Sequence, residues 1–519
     1  MGRRRLGNAW PWVMALLVCA PMLASGYVLS YDMVFVPRLD ITRPDVWGLG
    51  SATPRAVPSD AVVAVANLVV PGWLLQKVVL VGSLVAAGAG AMRMLNRFGL
   101  GAQLAGTTWF VWNPYVAERL VIGHWPLLVA YTALPWLVVA CLEIREGGAP
   151  RWWRWVLPLA ATALSPASGV IGAVLVVSVC GWRRCSRVVL VAVAVNLPWI
   201  VAGFAHAGAG RSDPAGVAAF ALRPEAGLGR LGAALSLGGI WNADVVPDSR
   251  DLLTATLFCL VLWTVMALGA VVAWRGGPAR EPVRALVPAA VVGLAVALVG
   301  AYVPAALEWV VEVVPGGGLL RDGARYLALL APLQAVLVAA GVTVLAGRAR
   351  AGFARWSVLV VAVLLPVAVM PDLAWGAGGR LQPVSYPAEW EQARDAVADS
   401  EASGDLLVLP FSAFRAPAWN DGRVVLDPAG RYFPRETVVN DDLVVSGSVV
   451  AGEDERARAV ARALSEEDPA AALRAEGIGL VVVEEDAYGT DDLDALRAAL
   501  DPVFTGDEIA VYEVPPDSR

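Results

Sequence analysis

The chain has 519 residues, of which 57% are hydrophobic, with a mean hydropathy of +0.61 and a formal net charge of −6. Apolar runs close to twenty residues long recur along it, so the composition excludes a purely soluble globule and reads as a polytopic membrane protein. No basic face is built, which argues against nucleic acid as a partner.

Charge is divided unevenly. From Asp372 onward there are 30 acidic and 12 basic residues, and before it 16 acidic and 28 basic. An arginine-rich membrane body, residues 1–371, is thus expected to carry an acidic soluble domain, residues 372–519. Of the 40 basic residues only Lys77 is a lysine, which reads as a GC-rich coding bias and singles that lysine out. The five cysteines fall in or beside apolar spans with neither disulfide nor zinc spacing.

In chain order, Arg3, Arg4 and Arg5 precede an apolar run from Ala9 to Leu29. A signal peptide ending near Leu23-Ala24-Ser25-Gly26 is conceivable, but the run is long and further spans follow, so an uncleaved first helix is expected. Hydropathy then places spans at 72–92, 100–114, 126–142, 153–165, 168–181, 188–204, 252–273, 285–303, 326–346 and 356–371, for eleven in all. The pair around Ser165-Pro166-Ala167-Ser168-Gly169 is short enough to be a re-entrant hairpin.

Arginines with few acids, such as Arg93 and Arg97, Arg145 to Arg154, Arg183 to Arg187, and Arg348 to Arg355, mark alternate connections. By the positive-inside rule they put the N-terminus in the cytoplasm. The 31–60 loop, the 115–125, 205–250 and 304–325 connections and the C-terminal domain are then expected outside. Residues 61–70 read as a helix lying along the interface.

The domain after Pro371 alternates helix and strand. Helices are expected at Glu389–Glu401, Arg456–Leu464 and Asp492–Leu500, and strands at Leu406–Leu409, Arg423–Leu426, Leu480–Val483 and Ile509–Val514. A small mixed α/β domain follows.

The first connection holds Asp32, Arg38, Asp40, Arg43, Asp45, Arg55 and Asp60 within thirty residues. So many charges beside a membrane are costly to hold without a use. An ionised Asp32 just beyond the first helix suits a general base that takes a proton from a sugar hydroxyl. Asp32 and Asp40 could equally hold a divalent cation (Mg, Mn or Ca) against a donor phosphate. The structural alternative is a solvated loop whose acids balance Arg38 and Arg43.

The 112–126 segment puts Glu118, Arg119 and His124 in a corner between two spans, where Arg119 could grip a phosphate and His124 a hydroxyl or phosphate oxygen. The same corner also reads as a turn belted by Trp112 and Trp125. In Gly316 to Tyr326 the glycines allow close backbone approach, and Arg321 and Arg325 suit a phosphodiester; an Arg321–Asp322 salt bridge is the plainer reading. Lys77, inside the second span, either snorkels to the surface or meets a lipid phosphate.

In these features the sequence resembles the GT-C superfamily of integral membrane glycosyltransferases, in particular the actinobacterial polyprenyl-linked arabinofuranosyl- and mannosyltransferases. The features are the acidic first loop (Asp32, then Leu39-Asp40-Ile41-Thr42), the NPYVAERLVIGHWP corner, the RDGAR loop, and a terminal α/β domain. The resemblance covers residues 1–371 and extends weakly into the tail. It implies inverting transfer from a polyprenyl-phosphate sugar to a cell-envelope glycan at the outer face, with an aspartate of the first loop as base.

On that reading Asp32 and Asp40 are catalytic or metal-holding. Lys77, Glu118, Arg119, His124, Arg321, Asp322 and Arg325 bind substrate. The family sets two acids side by side or one residue apart, whereas Asp32 and Asp40 are eight apart, so which of them is the base and whether a metal is needed stay open. Two other classes remain: a flippase for a lipid-linked glycan, which predicts symmetric halves and mid-membrane acids, and a non-catalytic envelope-assembly scaffold.

Overall fold

The computed structural model describes every residue except 1, 51–53, 55, 182–183, 207–211, 350–351, 446–447, 486–492 and 517–519. Arg55, Arg183 and Arg350, counted above among the loop charges, lie outside the described residues. Contacts gather the chain into two compact units. The first takes Met1–Met22, Lys77–Leu197 and Pro214–Leu381, and the second Leu23–Gln76, Pro198–Asp213 and Gln382–Arg519.

Each of the eleven expected spans corresponds to a helix. Among the described residues, seven of them are long and apolar enough to cross a membrane: Gly72–Met94, Trp125–Arg145, Ser186–Ala205, Leu253–Arg275, Arg280–Tyr302, Ala331–Arg348 and Gly352–Val369. The chain is therefore a multi-pass membrane protein, but eleven crossings do not follow. Leu100–Val111, Trp153–Thr162 and Pro166–Cys180 have 12, 10 and 15 residues. At ~1.5 Å per residue they fall short of a ~30 Å core. Gly2–Cys19 spends its first turn on the three arginines. The break before Pro166–Cys180 has a local cause: Ser165 accepts from the Ser168 backbone while the Ser168 hydroxyl receives the Ser165 N–H, a reciprocal cap.

Within the first unit the Leu253–Arg275 and Ala331–Arg348 helices approach backbone to backbone, with Gly269 against the Leu337 carbonyl and Gly341 against that of Val265. Small residues at such crossings are what allows helices to pack in lipid, where burial alone supplies no drive.

The second unit is built on a five-stranded sheet in the order Asp501–Thr505, Ile509–Glu513, Ile478–Glu484, Asp405–Leu409, Thr437–Val438. The last three are parallel and the first two antiparallel additions. Leu480 to Val483 is wholly buried, as expected of a central strand covered on both faces. The Glu455–Ala463 and Pro469–Ala475 helices lay Val460, Ala463 and Leu473 on this core. The mixed α/β reading of the tail therefore holds, with Ala388–Asp399 the first of its helices.

Residues 23–76 belong to this same unit. Tyr27–Val28 pairs antiparallel with Pro383–Val384. Gln76 brackets Val28 from its other side, accepting from its N–H at 2.8 Å and donating to its carbonyl at 2.7 Å. Tyr386, Trp390, Tyr432 and Phe433 interlock with ring centroids 5.0 to 6.0 Å apart and tie the Ala388–Asp399 helix to the Ala429–Tyr432 turn. The segment read as interfacial is helical over Ser59–Ala66.

Candidate active site

The corner of the first unit is set by Asn113. Its side-chain oxygen accepts from Val116 N–H at 3.1 Å, capping the Pro114–Val121 helix, and Pro114 fills the first helical position, where no N–H is needed. The Asn113 amide donates to the Trp109 and Phe110 carbonyls at 2.8 and 2.9 Å. Trp112 donates to the Met370 carbonyl at 2.7 Å. The tryptophan is therefore an internal tie rather than an interfacial belt residue, and every residue of the helix is buried.

This buried helix turns two charged neighbours into two different clusters. Arg119, 1% exposed, sends one Nη toward Asp322 (3.5 Å) and His124 Nδ1 (3.3 Å) and stacks over the Tyr115 ring at 5.5 Å. Its Nε and other Nη make no hydrogen bond. Asp322 also receives Arg325 Nε at 2.8 Å, and the Tyr115 hydroxyl donates to the Arg325 carbonyl at 2.9 Å. Burial works to raise the Asp322 carboxyl, but Arg119, Arg325 and His124 outweigh it and hold it below the usual range. The loop reaches this depth because Gly323 lies directly under the Val296 carbonyl, in space a Cβ would occupy.

Glu118 faces the other way. One oxygen accepts from Ile240 N–H at 3.3 Å and the other makes no hydrogen bond. Both Glu118 and Glu225 crowd Gly238, where a side chain would clash with them. Glu225 accepts from Gly239 N–H and from Arg250 Nε at 3.2 Å, while Arg250 donates to Ser236 Oγ at 2.7 Å. Burial, then the charge of Glu225, push the Glu118 carboxyl well above its ordinary range, with Arg119 and Arg250 pulling back.

Arg119, His124, Asp322 and Arg325 are therefore brought together, and Glu118 joins Glu225 and Arg250. Arg321 does not bridge to Asp322 in a salt bridge. It lies over the Phe220 ring at 5.7 Å, its Nε donating to the Gly318 carbonyl at 3.4 Å. Lys77 does not snorkel: it is 6% exposed and its Nζ is enclosed without a hydrogen-bond partner.

The second unit holds Asp32 and Asp40. Tyr31 adopts φ +44°, a left-handed conformation that costs a non-glycine residue energy. Backbone pairing fixes it, with Tyr31 N–H donating to the Val424 carbonyl and Leu426 N–H to that of Tyr31, both at 2.8 Å. Asp32 follows directly. Arg431, from the Ala429–Tyr432 turn, donates to Asp60 at 3.0 Å. Burial disfavours the Arg431 charge, but Asp60, then Asp32 and Asp45, more than restore it. Arg43 grips Asp45 with two nitrogens and donates to the Phe433 carbonyl at 2.8 Å. The loop's acids thus balance Arg431 as well as Arg43.

Asp40 closes its own turn, one oxygen accepting from the Thr42 N–H and hydroxyl, each at 2.8 Å. Partial burial would raise it, but those two bonds, then Arg43 and Arg394, lower it. Among the described residues no group of three or more His, Cys, Asp or Glu side chains gathers where a metal ion could sit.

Glu225, Arg250 and Arg431 escaped the sequence reading. A buried guanidinium must be paired, but nothing local indicates which distant carboxylate pairs with Arg250 or Arg431. The usable signal was scarcity: few charges occur in so apolar a chain, and these sit in connections.

No protein-family model matches the sequence, and no curated protein sequence matches it. Two cryo-EM structures of arabinofuranosyltransferase AftD from Mycobacteria, one of them of a mutant, resemble it in fold. The TM-scores are 0.64 for the mutant and 0.57 for the other, both at 18% sequence identity. The likeness covers 99% of this chain but 42% and 40% of those, so the chain spans about two fifths of the AftD structures it matches. In fold, the chain resembles this mycobacterial arabinofuranosyltransferase along nearly its whole length, in line with the GT-C likeness drawn from its loops.

Proposed function

We propose that the chain is a membrane glycosyltransferase that moves a sugar from a polyprenyl-phosphate donor to a cell-envelope glycan at the outer face, with its N-terminus cytoplasmic. The observation that carries this reading is Arg119: a buried guanidinium with two nitrogens that hydrogen-bond nothing in the protein, close to Asp322 and His124 and near Arg325. A phosphate would take up those two nitrogens with bidentate geometry. Lys77, enclosed and unpaired, adds a second anion-seeking group in the same unit. The AftD-like fold supports the reaction class.

In the proposed reaction the acceptor hydroxyl oxygen bonds to the anomeric carbon as the bond from that carbon to the phosphate oxygen breaks. The electron pair leaves with the polyprenyl phosphate, whose charge Arg119 and Arg325 hold. The hydroxyl proton goes to a carboxylate, for which the family resemblance offers Asp32, and Arg321, stacked over the Phe220 ring, is a further arginine offered to substrate.

The test is sugar transfer from synthetic polyprenyl-phosphate arabinofuranose and mannose donors by the detergent-purified chain. Wild type should transfer one of them. Asp32→Ala should lose 10²-fold or more, roughly the worth of a general base, with unchanged expression. Transfer by Asp32→Ala at the wild-type rate would remove Asp32 from the mechanism, and transfer from neither donor by wild type would count against the donor class.

A further inference from the structure

Away from those residues, the first unit contains a cavity of about 730 Å³ between the Gly72–Met94, Trp125–Arg145 and Trp153–Thr162 helices. Its walls are apolar along most of its length, with Ala86, Val129, Ala133, Ala140, Leu157 and Ala161 among them. From Val129 to Glu143 it follows fourteen helical residues, roughly 21 Å at ~1.5 Å each. That is more than one leaflet's share of a ~30 Å hydrocarbon core.

One end differs sharply. Arg93 in the last turn of its helix, and Arg151 and Arg154 at the start of the Trp153–Thr162 helix, converge there with Glu143 and Trp153. Arg154 is paired with Glu143 at 3.0 Å. Arg93 and Arg151 form no ion pair among the described residues, which leaves two positive charges uncompensated at the mouth of an apolar groove. Trp153 beside them is the residue type that settles at headgroup depth. Arg93 and Trp136 also line a neighbouring cavity of about 770 Å³. One headgroup position therefore serves two spaces, which suits a two-chain lipid better than a single-chain polyprenol.

We propose that this groove is a binding site for an anionic diacyl phospholipid, its phosphate against Arg93 and Arg151 and one acyl chain between the three helices. The cavity lies within the size range of small-ligand sites. The site is independent of the donor and acceptor roles assigned above, so its failure would leave them untouched.

The experiment is native mass spectrometry of the full chain in detergent, titrated with phosphatidylglycerol and phosphatidylcholine of the same acyl chains. One molecule of phosphatidylglycerol should bind with a preference of roughly 30-fold, the worth of two uncompensated arginines. The Arg93→Gln, Arg151→Gln double variant should reduce that preference below about 3-fold, since the same two charges are removed. Ala161→Phe, which fills the groove and leaves the arginines in place, should abolish retention of both lipids. Equal binding of the two lipids by wild type, or unchanged retention by Ala161→Phe, would overturn the proposal even if the double variant failed to fold. Displacement of phosphatidylglycerol by an equimolar polyprenyl phosphate would overturn it in favour of a polyprenol site.

Discussion

Arg431 and Asp60 are 371 residues apart in sequence and 3.0 Å apart in the second unit, each about one-fifth exposed. The pair fastens the acidic loop to the Ala429–Tyr432 turn. Removing a partner from a largely buried, charge-assisted bond costs about 1–3 kcal/mol. Arg431→Met should therefore speed amide exchange in residues 424–433 by about 5- to 150-fold. Exchange unchanged from wild type would mean the pair holds nothing in place.

Arg119→Gln should raise KM for a polyprenyl-phosphate donor by about 10- to 100-fold, the worth of a hydrogen bond to a charged group. The turnover number should change far less, because Asp322 keeps Arg325 and the corner retains its Asn113 cap. A loss confined to kcat would show that Arg119 acts on the reacting bond instead of the ground-state phosphate.

Glu118 gives a pH signature. Its folded-state affinity for a proton is raised, so above the ordinary glutamate range the native protein keeps a proton that the unfolded chain releases. Stability is then complete below that range and falls as pH rises toward the folded value, by about 1.4 kcal/mol per pH unit while the difference lasts. Glu118→Gln, which keeps the shape without the titration, should flatten the dependence of Tm on pH between about 5 and 8. A wild-type Tm that climbs over this interval, with Glu118→Gln following it, would show that Glu118 is ionised in the fold.

Arg415 is 6% exposed and pairs with Asp427 at 2.8 Å and with Glu484, at the end of the Ile478–Glu484 strand, at 3.3 Å. Arg415→Met removes the buried guanidinium that both acids face and should cost about 3–5 kcal/mol, read as faster proteolysis of the second unit. Glu455→Ala breaks only the long, exposed contact to Arg458 at 3.9 Å. It should cost no more than about 0.5 kcal/mol. Similar losses from the two variants would contradict this reading of burial.

The parts of this protein that could be read in advance are those encoded within a few residues. Ser165 and Ser168 mark a break, and Leu480 to Val483 declares a strand buried on both faces. The corner charges were recognisable for the same reason: Arg119 and His124 are close in sequence and meet in space. What stayed hidden was pairing at long range. Glu118 was grouped with Arg119, but successive helical residues point in different directions, and it settles against Glu225 instead. Arg431 drew no notice because the carboxylate it meets, Asp60, lies 371 residues away in the chain.

Tyr31 is held in its left-handed turn by the backbone of Val424 and Leu426, and this sets a timetable for the protein's birth. Residue 31 leaves the ribosome long before residue 425, roughly 20–80 s at ~5–20 residues per second. Until the last hundred residues arrive, the stretch carrying Asp32 lacks the edge it completes. The newborn chain must wait beside the bilayer with that segment open, so a premature stop after the final membrane helix would cost the acidic loop its shape as well as the tail.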